Sequence, residues 1–332
     1  MIIVKPSVEL MDRPTYMGPT EKLRHIEACG RVCYKSEGKI AQGSAERFVH
    51  MLLERGHEAA IEHVRITLLV DQVGDQRIRM MEQYVRMTGQ QSYLTITALP
   101  HRSLISANVR AWRALCKAFR TSSCGLNMDP AVARMVVDNP DLFPEYASLQ
   151  DVIDAADDVS HELDPNAFDD PNTRRVHGWH TLRIICDRGV SHELVRHRPA
   201  SFCQESTRYC NYSKDQFGSQ ISVIEPCYLR GSEGAACAAY SVWQEACERA
   251  EKAYFGMLDA GCMPQEARAV LPNSLKTEVA MTATNEEWLH ILRLRTSEAA
   301  HPQMRETAAQ IEAALIQADP KIYKWWREDY HE

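Results

Sequence analysis

The sequence predicts an α+β fold, and three observations carry that prediction. Strand-like alternation occurs in the first hundred residues, helical spacing fills the last third, and no Gly-x-Gly-x-x-Gly or Gly-x4-Gly-Lys-[Ser/Thr] motif announces a parallel nucleotide-binding sheet. Ser44 to Glu54 spaces Phe48, Met51 and Leu52 as an amphipathic helix, with Ser44 as its expected cap and Gly56 as its stop. Val64, Ile66 and Leu68 alternate with Arg65 and Thr67, the pattern of a half-buried strand. Tyr93 to Ala98 reads as a second strand leading into a helix from Asn108 to Phe119, where Val109, Trp112, Leu115 and Phe119 share one face.

Between Thr121 and Asn172 the chain is richer in Asp, Pro and Ser and reads as loops around short helices. Val176 to Cys186 is expected as a buried strand, Val190 to His197 as a helix and Ser201 to Ser213 as a loop. Further helices fit the rest. One long helix ending near Gly261 would bury Val242, Ala246, Ala250, Ala253 and Met257, and others fit Pro264 to Val270, Asn285 to Arg293 and Pro302 to Gln317. No tandem repeat or low-complexity tract stands out.

The 332 residues suit either a large single domain with an insertion or two closely packed domains. With 45% hydrophobic and 25% charged residues and no long apolar run, membrane and disordered classes are excluded. The start, Met1 to Pro14, carries Lys5, Glu9, Asp12 and Arg13 and does not read as a secretory signal, so a cytoplasmic location is expected. Eleven cysteines with no Cys-x-x-Cys pair fit buried thiols better than a disulfide framework or a zinc ribbon. A net charge of -7 sets nucleic-acid binding aside and leaves a small anionic ligand as the better partner for any basic cluster.

One such cluster exists. From His192 to Tyr209 the chain crowds Arg196, His197, Arg198 and Arg208 around Ser201, Gln204, Ser206 and Thr207. Arginine forks bind phosphate oxygens in pairs, and hydroxyls with loop N–H groups can complete a cradle; a solvated basic face is the other reading. His57 and His63 in Gly56–His63 do not share a helix face, so no metal site is expected there. Arg268 and Arg295 each sit in apolar surroundings, where an arginine must be paired or functional unless its stem merely lies along the surface.

Arg196-His-Arg, seven residues, then Ser206 resembles the R-H-R-x7-S signature of the flavin-dependent thymidylate synthases. The flanking His192-Glu-Leu and Ser206-x-Arg208-Tyr209 resemble its extended form. Gly30–Ser36, Gly56–His63, Ala267–Asn273 and Arg295 also resemble family segments in the family's order. The resemblance covers residues 21–70 and 176–316 and implies one domain over residues 1–332, interrupted by a long insertion at about 71–175. It further implies a central antiparallel sheet flanked by helices, and reductive methylation of dUMP to dTMP with 5,10-methylenetetrahydrofolate, NADPH and FAD in a homotetramer.

By the same resemblance Arg295 activates the pyrimidine and Ser206 polarises it, as a binding hydroxyl and not a nucleophile. The dUMP site would take Glu193, Leu194, Val195, Arg196, Gln204, Glu205, Ser206, Thr207, Arg208, Arg268 and Arg295. The FAD contacts would be Arg196, His197, Arg198, Pro199, Gln204, His290 and Asn285, with no metal. Two departures stand out. Many relatives have an Asn-x-Arg stretch where this chain has Thr284-Asn-Glu-Glu-Trp288, while Asn108-Val-Arg-Ala-Trp112 inside the apparent insertion reads like that stretch. Ala59 replaces a hydroxyl residue of some members. The alternative to the enzyme is a catalytically idle nucleotide-binding relative.

Overall fold

A strand buried on both faces needs no polar alternation, and one such strand at the centre of this fold is hidden in the sequence for that reason. The computed structural model describes residues 1–11, 17–71, 75–121, 128–157, 160–214, 217–230, 235–324 and 326–329. Asp12 and Arg13 of the N-terminal stretch, and residues 122–127 and 158–159 of the expected loop region, lie outside the described residues. The strands are β1 (Ile2–Val4), β2 (Ser7–Leu10), β3 (Arg65–Asp71), β4 (Thr95–Leu99), β5 (Arg102–Asn108), β6 (His161–Leu163), β7 (Trp179–Asp187), β8 (Ala200–Gln204), β9 (Ser222–Ile224) and β10 (Lys276–Thr284).

They form two antiparallel four-stranded sheets, ordered β2-β7-β10-β8 and β4-β5-β3-β6, and a small parallel pair β1-β9. Helices pack around both larger sheets, so the α+β expectation holds. One hydrophobic core joins the helices Pro19–Val32, Ser44–Glu54 and Val109–Thr121 to the second sheet through Ile26, Phe48, Ile66, Trp112 and Val132. Another lies beneath the first sheet, where Leu182, Met281, Trp288 and Ile311 meet the helices Asn285–Arg295 and Pro302–Ala318.

Several expectations change. Residues 201–204, read as loop, belong to β8, and the last third contains β10 as well as helices. Burial on both faces removes the period-two signal from Lys276–Thr284, and Ser201 and Gln204 are polar because they bond inside the fold. The helix expected from Asn108 begins at Val109 and is preceded by β5. Helix Ser44–Glu54 starts after Gly43, and Ser44 donates to Glu27 Oε2 at 2.8 Å instead of capping the helix.

The long helix, Ala235–Asp259, is turned relative to expectation. Cys247 and Tyr254 are buried with Trp243 half-buried, while Val242, Ala246 and Ala253 face outward. The ring-bearing side chains have more apolar surface to remove from water than the alanines, so they decide which face docks. None of the described cysteines is disulfide-bonded, and Cys29, Cys116, Cys186, Cys203, Cys210 and Cys247 are buried. No helix among the described residues is long and apolar enough to cross a membrane.

Candidate functional site

The signature segment links β7, a central strand of the first sheet, to β8 at its edge. Strand β7 ends in Asp187, whose side chain accepts from Val190 N at 2.7 Å and starts the short helix Arg188–Leu194. Residues 195–199 then turn the chain, through a cis Arg198–Pro199 bond, into β8, which lies along β10. This path buries Leu194 and His197 and leaves the guanidinium groups of Arg196 and Arg198 at the surface. Arg198 is steadied by bonds to the carbonyls of Val195 and His197, both at 2.7 Å.

Arg295, at the end of helix Asn285–Arg295, reaches back to this turn. Its Nε donates to His197 Nε2 at 3.0 Å, Nη1 to Glu193 Oε2 at 2.7 Å and Nη2 to the Glu193 carbonyl at 3.0 Å. Three bonds on one planar group fix its orientation as well as its place. On its other side His197 faces Glu287, with Nδ1 and Oε1 3.5 Å apart, and the His290 ring stands edge-on at 5.9 Å. Ligand atoms of His197, Glu287 and His290 lie within 4.8 Å of one another, while Arg295 bonds His197 from the side away from Glu287. Sequence reasoning missed Glu287. Its i, i+3 relation to His290 on one helix was the available signal.

The turn after β8 divides its side chains between exposed and internal positions. Ser206 donates its backbone N–H to the Cys33 carbonyl at 3.0 Å, and its Oγ accepts from Arg208 N at 3.3 Å. Arg208 and Arg268 are exposed, and Arg268 approaches Thr207 Oγ1 at 3.4 Å, so two cations flank one turn. Gln204 donates to Ser191 Oγ at 2.9 Å and to Thr277 Oγ1 at 3.2 Å. Glu205 is buried and bound inside, to Lys276 Nζ at 2.8 Å and the Tyr212 hydroxyl at 3.2 Å. Burial, with the Glu205 carboxylate beside it, raises the Tyr212 phenol.

A cavity of about 490 Å³ opens beside this turn. It is walled by Gly30, Cys33 and Tyr34, by residues 56–60, and by Gln204, Ser206 and Tyr209, so three motif segments distant in sequence meet in one place. Arg110 joins them. It pairs with Glu62 at 2.6 Å and Glu58 at 3.1 Å. On the cavity floor Cys203, buried and bonded to Cys33, holds its thiol well above the usual range.

Of the other expected cofactor residues, Asn285 is turned inward. It is fully buried, its amide donating to the Arg174 carbonyl at 3.0 Å and accepting from the Tyr323 hydroxyl at 2.9 Å. Thr284 caps the helix by accepting from Glu287 N at 3.3 Å, and Glu286 points to solvent. The Thr284–Trp288 stretch thus contributes structure, while Arg110 of Asn108–Trp112 stands at the cavity.

Comparison with known proteins bears on this geometry. The profile of the family described as "Thymidylate synthase complementing protein" matches residues 15–95 and 176–321. A flavin-dependent thymidylate synthase of Geobacter sulfurreducens is 32% identical over 137 residues, 41% of this chain and 56% of that protein. Proteins of the same name from Pyrococcus abyssi and Mycolicibacterium vanbaalenii are each 30% identical, over 142 and 141 residues, 42% and 41% of this chain and 56% of each relative. The chain thus spans about half the length of the curated relatives it matches. With the profile matching over more than half of its residues, the chain belongs to the thymidylate synthase complementing protein family.

Proposed function

We propose that the chain is a flavin-dependent thymidylate synthase, converting dUMP to dTMP with 5,10-methylenetetrahydrofolate as the one-carbon donor and NADPH as the reductant. The observation that carries this reading is Arg295 bonded at once to His197 of the signature and to Glu193. A guanidinium so held presents a fixed positive plane to a pyrimidine, where it stabilises charge that develops on the ring as carbon 5 becomes nucleophilic. Arg208 and Arg268 flank the turn that would take the dUMP phosphate, with Ser206 as a polarising hydroxyl. Glu193 to Arg196 and Gln204 to Thr207 line the same site. Leu194 and Glu205 do so through their backbone, since both side chains are buried.

The chemistry of the donors fits FAD: Arg196 and Arg198 expose guanidinium groups, and Gln204 lines a cavity with apolar and aromatic walls. Those two arginines, with His197, Pro199, Gln204 and His290, would hold it; Asn285 would support the helix that carries His290. Bound FAD would supply the redox chemistry, relaying reducing equivalents from NADPH. Ser206 has no general base among its bonding partners in the described residues, which favours a binding role.

Two coarser parts belong to the same proposal. Residues 1–332 act as one domain with an insertion at about 71–175, of which only residues 96–175 fall in the gap of the family match, and four chains assemble. The direct test is spectral. The purified protein, reconstituted with FAD, should absorb at flavin wavelengths and bleach with NADPH; a protein that cannot take up FAD would favour the idle nucleotide-binding relative.

A further inference from the structure

The two larger sheets have the same plan. In each, a strand leads through a helix to a second strand, and a third strand lies between those two and runs directly into another helix: β3, β4 and β5 with Asp75–Met87 and Val109–Thr121, and β7, β8 and β10 with Arg188–Leu194 and Asn285–Arg295. The registers agree as well. Arg65 lies opposite Asn108 as Trp179 lies opposite Thr284, and Thr95 opposite Ser106 as Ser201 opposite Thr282. What differs is the link to the third strand, a tight turn at Pro100-His101 in one unit and residues 205–275 in the other.

Side chains at matched positions make the same bonds. Trp112 Nε1 donates to the Ile66 carbonyl at 3.1 Å, and Trp288 Nε1 to the His180 carbonyl at 3.0 Å. Thr67 and Ser106 hydroxyls meet at 2.7 Å, as do those of Thr181 and Thr282. Val109 N donates to Val64 O and Asn285 N to Gly178 O, both at 2.9 Å. Then the units exchange partners. His63, before β3, bonds Thr282 of the other unit at 2.7 Å, and His177, before β7, bonds Ser106 back at 2.6 Å. Reciprocal contacts of this kind define a two-fold interface.

We infer that residues 61–121 and 175–295 are two copies of one unit facing each other across an internal two-fold. The first copy has lost its own chemistry and serves as a wall of the second copy's ligand cavity, to which it contributes Arg110. This rests on the function proposed above. Where the second copy has Gln204, Glu287, His290 and Arg295, the first has Ala98, Ala111, Ala114 and the buried Phe119. Arg110 reverses the pattern, because its counterpart is Glu286, which points to solvent near Arg175. Two carboxylates, Glu58 and Glu62, hold the Arg110 guanidinium at the cavity that Gln204 and Ser206 also line. A planar cation fixed in that way suits a flat heteroaromatic ring such as a flavin. The repeat escapes sequence inspection because few of the matched positions are identical, His63/His177, Thr67/Thr181 and Trp112/Trp288 among them.

The test is titration of the full chain with FAD, read by flavin fluorescence and by bound stoichiometry. One FAD per chain is expected, with Arg110→Ala weakening uptake by about tenfold or more and Arg110→Lys recovering only part of it. Glu286→Ala, at the matched surface position, should change uptake by less than about twofold. Two FAD per chain, or Arg110→Ala binding as tightly as the parent, overturns the inference. A parent protein that binds no FAD overturns the function proposed above instead, so the two failures are distinguishable.

Discussion

Arg295 donates through Nε to Nε2 of His197 at 3.0 Å, and that bond orders the candidate site. On the far side of the ring, Nδ1 faces Glu287 Oε1 at 3.5 Å. Glu287, His197 and Arg295 thus lie in succession, from a buried carboxylate to a half-buried guanidinium. The signature histidine supplies one of the three bonds that hold the arginine.

Replacing Arg295 by alanine should lower kcat by roughly 10² to 10³, the scale of removing one preorganised donor. Lysine should rescue little, since a point charge cannot bond His197 and both Glu193 oxygens together. Steady-state kinetics on a variant that still takes up FAD checks this. An unchanged kcat would remove Arg295 from the mechanism.

Arg208→Ala should fail differently. An arginine holding a phosphate contributes equally in the ground and transition states, so its loss should mainly raise the KM for dUMP. A fall in kcat with KM unchanged would move Arg208 out of the phosphate site.

Cys203 sits inside the signature, yet it is buried and its thiol is held well above the usual range through its bond with Cys33. A thiol so held is a poor nucleophile near neutral pH. Cys203→Ser should keep turnover, and complete loss of activity in a folded, FAD-binding variant would refute the assignment.

Stability should fall on mild acidification through His63 and His177. Burial depresses them to about 3 and about 4, against 6.5 in the unfolded chain. Below pH 6.5 the unfolded chain binds the protons first, so each histidine lowers stability by up to about 1.4 kcal/mol per pH unit until its folded value is reached. Their contribution is complete above pH 6.5. Denaturant melts at pH 7 and pH 5 should show a smaller pH difference in His63→Gln and His177→Gln than in the parent; an equal difference would contradict this.

The sequence made the signature, the terminal helices and the α+β class legible, because each depends on local spacing. Strand β10 was not legible, since burial on both faces erases alternation, and β8 is a five-residue edge strand whose Ser201 and Gln204 read as loop residues. Asn285 looked like a ligand residue because its inward bonds to Arg174 and Tyr323 join positions far apart in the chain. Arg110 could be noticed through the Asn-x-Arg pattern, but only the fold brings it to the cavity.

The central claim is that Arg295, held by His197, activates the pyrimidine of dUMP for methylation, and tritium release from dUMP labelled at carbon 5 tests it most directly. With FAD, 5,10-methylenetetrahydrofolate and NADPH the parent protein should release tritium, and Arg295→Ala that still binds FAD should release it roughly 10² to 10³ times more slowly. A folded, FAD-loaded parent that releases no tritium, or an Arg295→Ala variant that releases it at the parental rate, would contradict the account.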